Sequence, residues 1–227
     1  RSPTNEIKDF ITDGFTIGSA AAVNDAVGGD TYVAWCWKAG GAAEPNTDGD
    51  LNSNVSANVA NGFSIVKGVG SGSGVQTVGH GLDSAPELVL IKNINSTDDW
   101  FVYSSTTGVS KYLRLNTTDA TFTWFQNMVV NSTEIGLRQE STGSWGNLIA
   151  YCFHSVAGVS KVGSYQGGSG ATVNTGFRPS WVMVKKTDNS VGGDWVIYDN
   201  VRGEDEYLLA NTNGQEASYD NLDFTAT

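Results

Sequence analysis

The chain is poor in the residues from which most catalytic, metal-binding and cross-linked sites are made. Among its 227 residues are two cysteines, two histidines, two methionines and four prolines. Two cysteines build no disulfide framework, and neither Cys36 nor Cys152 sits in a Cys-x-x-Cys pair. Each lies within an apolar run, Val33-Ala34-Trp35-Cys36-Trp37 and Ile149-Ala150-Tyr151-Cys152-Phe153. Both are therefore expected to be buried small hydrophobes, with a bridge between them as the alternative. Charge is scarce too, at 16% of residues, against roughly 25% in an average globular protein. The basic sign is the scarcer one: 13 Lys and Arg stand against 24 Asp and Glu, a net charge of −11. Nucleic-acid phosphates and anionic lipid faces repel such a surface, so no nucleic-acid partner is expected. No apolar run approaches the ~20 residues of a membrane-spanning helix, so no membrane insertion is expected. No basic stretch followed by an apolar one marks a signal peptide, and an opening at Arg1-Ser2-Pro3-Thr4 reads as an excerpt of a longer chain.

What remains is abundant glycine, with 28 residues, and aromatics at 11%. That composition is too apolar for a disordered chain. Short runs of Val, Ile, Phe, Tyr and Trp alternate with Gly, Asn, Asp, Ser and Thr clusters. Strands are expected at Tyr32–Trp37, Phe63–Val66, Leu88–Lys92, Trp100–Tyr103, Leu148–Phe153, Trp181–Lys185 and Trp195–Tyr198. Leu88-Val89-Leu90-Ile91 and Trp181-Val182-Met183-Val184 are continuously apolar, as in strands covered on both faces. No segment repeats its apolar residues at helical spacing over ten or more positions. An all-β fold of antiparallel, jelly-roll-like sandwiches follows.

The chain also repeats itself. Ala34-Trp35-Cys36-Trp37 before Ala39-Gly40 recurs as Ala150-Tyr151-Cys152-Phe153 before Ala157-Gly158. Gly62-Phe63-Ser64-Ile65-Val66 recurs loosely as Gly158-Val159-Ser160-Lys161-Val162. Gly81-Leu82 with Pro86, Val89, Ile91 and Lys92 matches Gly176-Phe177 with Pro179, Val182, Val184 and Lys185. Asp99-Trp100-Phe101-Val102-Tyr103 matches Asp194-Trp195-Val196-Ile197-Tyr198, and Leu113-Arg114-Leu115-Asn116 matches Leu208-Leu209-Ala210-Asn211. Asp9-Phe10 is echoed by Asp223-Phe224. Two related modules are expected, residues 1–125 and 126–227, with a seam near 120–130. The first carries a long polar connector over residues 41–60, and the second is expected to continue into a further repeat.

Tests for chemistry return little. No Gly-x-Ser-x-Gly elbow occurs, and His80, in Gly79-His80-Gly81, reads as a turn residue while His154 reads as a strand end. Gly68-Val69-Gly70-Ser71-Gly72-Ser73-Gly74 fits no phosphate-binding fingerprint and is expected to be a hairpin connection. Carboxylates for a glycosidase could come from Asp98 with Asp99, Glu134, Glu140 or Glu204-Asp205-Glu206, but nothing in the sequence pairs them. Asn46-Thr47-Asp48-Gly49-Asp50-Leu51-Asn52 alternates oxygen ligands around a glycine as a calcium loop does, yet the twelfth position is Ala57 rather than Glu. A polar loop is the plainer reading. Most tryptophans fall in repeated strands, where they serve packing. Trp124 and Trp145 have no counterpart between copies and are the candidate ligand or interface aromatics. Sequons stand at Asn54, Asn95, Asn116 and Asn131. No catalytic residue, cofactor or metal is expected.

Tyr32–Gly41, Asn61–Val66 and Val78–Leu82 before Pro86 resemble a repeat found in virion proteins of tailed bacteriophages of marine and freshwater bacteria. Ile149–Phe153, Ser160–Tyr165, Thr175–Val182 and Asp194–Asp199 resemble its second half, so the likeness spans roughly residues 10–227. The resemblance implies a virion location, in a tail fibre or other surface appendage, and no catalytic residues. It implies other virion proteins as partners, a homo-oligomer such as a trimer, and a host surface glycan or receptor as target. A carbohydrate-binding adhesin and a capsid decoration protein are the alternatives.

Overall fold

The computed structural model describes residues 6–25, 31–70, 75–123, 128–138, 146–168, 170–188, 192–219 and 222–225. In chain order the strands are β1 (Ile7–Ile11), β2 (Gly14–Ile17), β3 (Glu44–Asn46), β4 (Ser53–Asn58), β5 (Phe63–Gly70), β6 (Val75–Gly79), β7 (Leu88–Asn93) and β8 (Phe101–Ser104). They continue with β9 (Lys111–Arg114), β10 (Phe122–Thr123), β11 (Glu134–Arg138), β12 (Gly146–Phe153), β13 (Trp181–Lys185), β14 (Trp195–Asp199), β15 (Gly203–Leu209) and β16 (Ala217–Ser218). Helix among the described residues is confined to one turn, α1 (Ala21–Asn24), and a 3-10 turn at Val59–Asn61. The fold is all-β, and every ladder between these strands is antiparallel.

The chain divides into two units, Arg1–Trp37 and Lys38–Thr227. In the first, β1 and β2 form a hairpin around Thr12-Asp13, with Ile11 opposite Gly14. Its apolar side chains are exposed, Phe10 at 85%. Tyr32–Trp37, expected as a strand, belongs to none, and Cys36 is exposed rather than buried. Alternating apolar residues supply strand propensity, but a strand forms only where a ladder is available.

The second unit is built on an eight-stranded sheet in the order β10-β9-β8-β7-β12-β5-β4-β3. Its inward face carries Val55, Val66, Val89, Ile91, Ala150 and Cys152, which pack with Val78 and Ile135 of the separate β6–β11 pair. Val66, Val89, Ile135, Ala150 and Cys152 are all 0% exposed. Gly68 lets the layers approach, since a Cβ there would lie 3.2 Å from Val78 Cγ1. Burial pushes the Cys152 thiol up to about 12, which keeps it protonated and inert. Cys36 and Cys152 are both free thiols.

Three sequence expectations change here. Residues 41–60 are not merely a connector, because they contain β3 and β4 at the sheet edge. Ser53 points inward, 3% exposed, and its hydroxyl donates to Gly79 O at 3.2 Å, so a polar strand is buried without an orphaned group. Of the glycine-rich run, Gly68–Gly70 end β5 and residues 71–74 lie outside the described residues; β5 and β6 belong to different sheets, so they do not pair as a hairpin. Finally, β12 lies between β7 and β5 with a full ladder on each side, so the main sheet runs across the seam expected near residues 120–130.

The internal repeat is visible as architecture. Strands β7-β8-β9-β10 form an antiparallel meander, and β13-β14-β15-β16 form the same meander again. Registers coincide: Leu90, Val102 and Leu113 stand side by side in the first, as Met183, Ile197 and Leu208 do in the second. The apolar run of β7 is covered on both faces, as expected. Val89 and Ile91 enter the main core, while Leu88 and Leu90 pack into a second cluster with Val102, Leu113, Trp195 and Met183.

Candidate functional site

Both meanders are closed by the same side-chain clasp. In the first, the Trp100 amide donates to Asn116 Oδ1 at 2.9 Å, and Asn116 Nδ2 donates to Asp99 Oδ1 at 2.7 Å. In the second, the Trp195 amide donates to Asn211 Oδ1 at 2.8 Å, and Asn211 Nδ2 donates to Asp194 Oδ1 at 2.7 Å. The amide of the residue before each Asn returns to the tryptophan carbonyl, Leu115 to Trp100 at 2.9 Å and Ala210 to Trp195 at 3.0 Å. Asp-Trp and Asn are thus separated in sequence but joined at the mouth of each β-hairpin. Asn and Asp suit this place because a short amide and a carboxylate reach neighbouring backbone without a long, mobile stem.

The tryptophans then diverge. Trp100 stacks on Tyr151, ring centroids 6.3 Å apart. Trp195 is 4% exposed, and its indole Nε1 donates to Arg114 O at 2.8 Å, seating the second meander on the first. Lys185 Nζ lies 5.8 Å from the Trp195 ring centroid and donates to Thr118 O at 3.0 Å. Burial lowers the Lys185 pKa, with Asp119 and Asp194 acting the other way. The repeated lysine of the first copy, Lys92, donates to Asn93 O at 2.7 Å and to Ser96 O at 2.8 Å.

His80 is the polar residue whose role the sequence hid. It is 0% exposed, its Nδ1 accepts from the Leu82 amide at 3.1 Å, and its Nε2 lies 3.1 Å from Asn131 O. The amide fixes Nδ1 as acceptor, so Nε2 carries the proton and the ring is neutral. Burial lowers its pKa; the contact with Asn131 and the charges of Asp48 and Glu134 oppose that, and His154 reinforces it. Gly81 allows the arrangement: its φ is +69°, and a Cβ there would lie 2.9 Å from Val55 Cγ1. His154 Nε2 sits 3.3 Å from Asp83 Oδ1 without an aligned hydrogen bond.

Two of the candidate carboxylates are held in ion pairs. Asp99 faces Arg114 Nε at 3.1 Å as well as its clasp, and Glu204 meets Arg178 at 3.0 Å. Glu140 lies outside the described residues. Asp199 is a further structural acid, 3% exposed and 2.7 Å from Arg202 Nε, where it also receives the Val201 and Arg202 amides at 3.1 Å. In the polar loop, Asn46 Oδ1 accepts the Asp48 amide at 2.8 Å, while Asp50 Oδ2 accepts the Thr77 amide at 3.2 Å and its hydroxyl at 3.1 Å. Among the described residues no three of His, Cys, Asp and Glu converge as a metal site requires.

Trp124 and Trp145, the candidate contact aromatics, lie outside the described residues. A depression of about 500 Å³ is lined by Thr106, Thr107, Lys111, Ala120, Thr121, Thr187 and Asp188. It offers hydroxyls, one ammonium and one carboxylate, chemistry suited to a hydroxyl-rich ligand rather than an apolar one.

Fold and side-chain clasps define an all-β protein assembled from repeated antiparallel meanders. The chain belongs to the family described as Domain of unknown function (DUF7483), which matches residues 1–227. No curated protein matches it, and no solved structure does.

Proposed function

We propose that the chain is a non-enzymatic structural component of a bacteriophage virion, in a tail fibre or another surface appendage, working in architecture or host attachment. The observation that supports this is the repeated meander with its identical Asp-Trp and Asn clasp, the second copy docked on the first through Trp195. A unit that recurs and stacks on itself suits a rigid spacer. The acidic surface, at −11, suits a particle protein that must stay off packaged nucleic acid. The virion assignment itself rests on the resemblance of Tyr32–Gly41, Thr175–Val182 and Asp194–Asp199 to the phage repeat.

Immunogold labelling of intact particles with an antibody raised against the chain tests the reading. Label on the tail or its fibres is the expected result. Label spread over the head makes it a capsid decoration protein and ends the attachment role. Particles without label overturn the virion assignment. The threonine-lined depression favours one second reading, a carbohydrate-binding adhesin. A glycan array probed with the native chain and with Lys111→Glu separates it from a purely architectural part, since glycan binding lost in the variant would place the ligand at the depression.

A further inference from the structure

The chain holds two Asn-Gly pairs, Asn61-Gly62 and Asn213-Gly214. This dipeptide is chemically labile, because the glycine amide nitrogen can attack the preceding side-chain carbonyl carbon with no Cβ in its way. Whether it does so depends on how the fold holds that amide. The two pairs are held in opposite ways.

At the first pair the amide is locked. Asn61 ends the 3-10 turn Val59–Asn61, where its own amide donates to Asn58 Oδ1 at 3.2 Å. The Gly62 amide donates to Val59 O at 3.0 Å, and Gly62 O accepts from the His154 amide at 2.9 Å. Gly62 is buried with φ at +62°, and a Cβ there would lie 2.6 Å from His154 O. Turning its nitrogen onto the Asn61 side chain breaks these hydrogen bonds where β5 begins, beside Phe153 of β12.

At the second pair the amide is loose. Asn213-Gly214 lies in the connection between β15 and β16, and both residues are exposed. The Gly214 amide joins no ladder; it donates to Thr212 Oγ1 at 3.3 Å, longer than an ordinary hydrogen bond of this kind. A Cβ at Gly214 would meet only that hydroxyl, also at 3.3 Å, so the space around the residue is open. Among the described residues nothing holds the Asn213 side-chain amide by a hydrogen bond.

We infer that Asn213 is the site at which the folded protein modifies itself, its side-chain amide becoming an acid while Asn61 is spared. The Gly214 nitrogen bonds to Asn213 Cγ, the Cγ–Nδ2 bond breaks, and Nδ2 leaves as ammonia with the proton of the Gly214 amide. Water then opens the resulting cyclic imide at one of its two carbonyls. Breaking the new bond to Cγ leaves aspartate, and breaking the bond to the Asn213 main-chain carbonyl carbon routes the main chain through Cγ as isoaspartate. Water is the one co-reactant. Either product adds a negative charge, and isoaspartate adds a methylene to the main chain three residues before Glu216, whose Oε2 pairs with Arg202 Nη1 at 3.0 Å.

The test is ageing of the full chain at mildly alkaline pH, followed by peptide mapping with mass spectrometry and isoaspartate detection. Asn213 should convert at least about tenfold faster than Asn61, which reacts only through local opening. Unfolding in urea should bring the two rates together. Gly214→Ala should slow conversion at least about tenfold, because the methyl group hinders the attacking nitrogen, and should leave the circular dichroism unchanged. The backbone tolerates that change, since Gly214 is not among the positive-φ glycines and the added methyl group meets a side-chain oxygen. Equal rates in the folded chain, or faster conversion at Asn61, overturn the inference. So does a difference that persists in urea, which would place it in the flanking sequence rather than the fold. Conversion untouched by Gly214→Ala also overturns it, because water would then be attacking the side chain directly.

Discussion

Replacing His80 by alanine should destabilise the protein in a pH-dependent way, and the direction of that dependence follows from the geometry. The ring is fully buried, accepts from the Leu82 amide and donates to Asn131 O. Removing it orphans one donor and one acceptor, at about 1 kcal/mol each, and leaves a cavity worth a further 1–2 kcal/mol or so. The sum, about 3–4 kcal/mol, lowers Tm by roughly 10 °C in a domain of this size. Burial holds the folded His80 pKa below its ordinary 6.5. As pH falls through about 6.5 the unfolded imidazole takes up a proton that the folded one refuses. The unfolded state then binds more protons, so the contribution of His80 is fully present above that pH and declines below it. Charges common to both proteins cancel in the comparison. The gap in unfolding free energy between wild type and His80→Ala, measured by urea titration, should therefore be flat from pH 8 to 7 and narrow towards pH 5. A gap that stays constant, or widens in acid, would mean a charged or solvated imidazole and would refute the argument.

Other expectations are simpler. Trp195→Ala should cost about 3–5 kcal/mol through lost packing and an orphaned Arg114 carbonyl, read as a lower Tm with the loss concentrated in exchange protection of β13–β15. Asn211→Ala should cost about 1–3 kcal/mol by chemical denaturation, because it strands the part-buried Trp195 amide and Asp194, and Asn116→Ala should cost less, because water reaches its exposed partners. In the native chain a thiol reagent should modify Cys36 at once and Cys152 only after unfolding, so one equivalent titrates without denaturant and two with it.

The extent to which this fold could be read from residues differs by element. Strands that are apolar on both faces announced themselves: β13 has the boundaries expected of Trp181–Lys185, and β7 extends Leu88–Lys92 by one residue. Strand β4 was hidden because Ser53-Asn54-Val55-Ser56-Ala57-Asn58 looks like a loop until Ser53 finds the Gly79 carbonyl. Tyr32–Trp37 erred the other way, since propensity was present and a ladder was not. The landmarks Asp99-Trp100 and Asn116 were legible as a repeat, but their joining in one clasp depends on a hairpin register that sequence spacing does not state. The glycines that flank His80 point to a turn residue. Those glycines do mark close approaches, of Gly79 to Asn46 and of Gly81 to Val55, on either side of a buried ring rather than a solvent-facing bend. Asp199 and Arg202 carry a local signal, an acid three residues before a base at a hairpin turn.

The position of β12 sets a timetable for synthesis. Strands β3 to β10 leave the ribosome before the residues that will lie between β5 and β7, so the nascent sheet must hold two facing edges apart while the intervening chain is made. Closing that gap requires Leu148 to find Asn93 on one side and Gly68 on the other, contacts of long sequence separation that form slowly. Until then both edges can capture a neighbouring nascent chain. A fragment ending at residue 125 would keep this vulnerable state permanently, whereas one extended through Phe153 closes it, which fixes where the main sheet can be cut for expression.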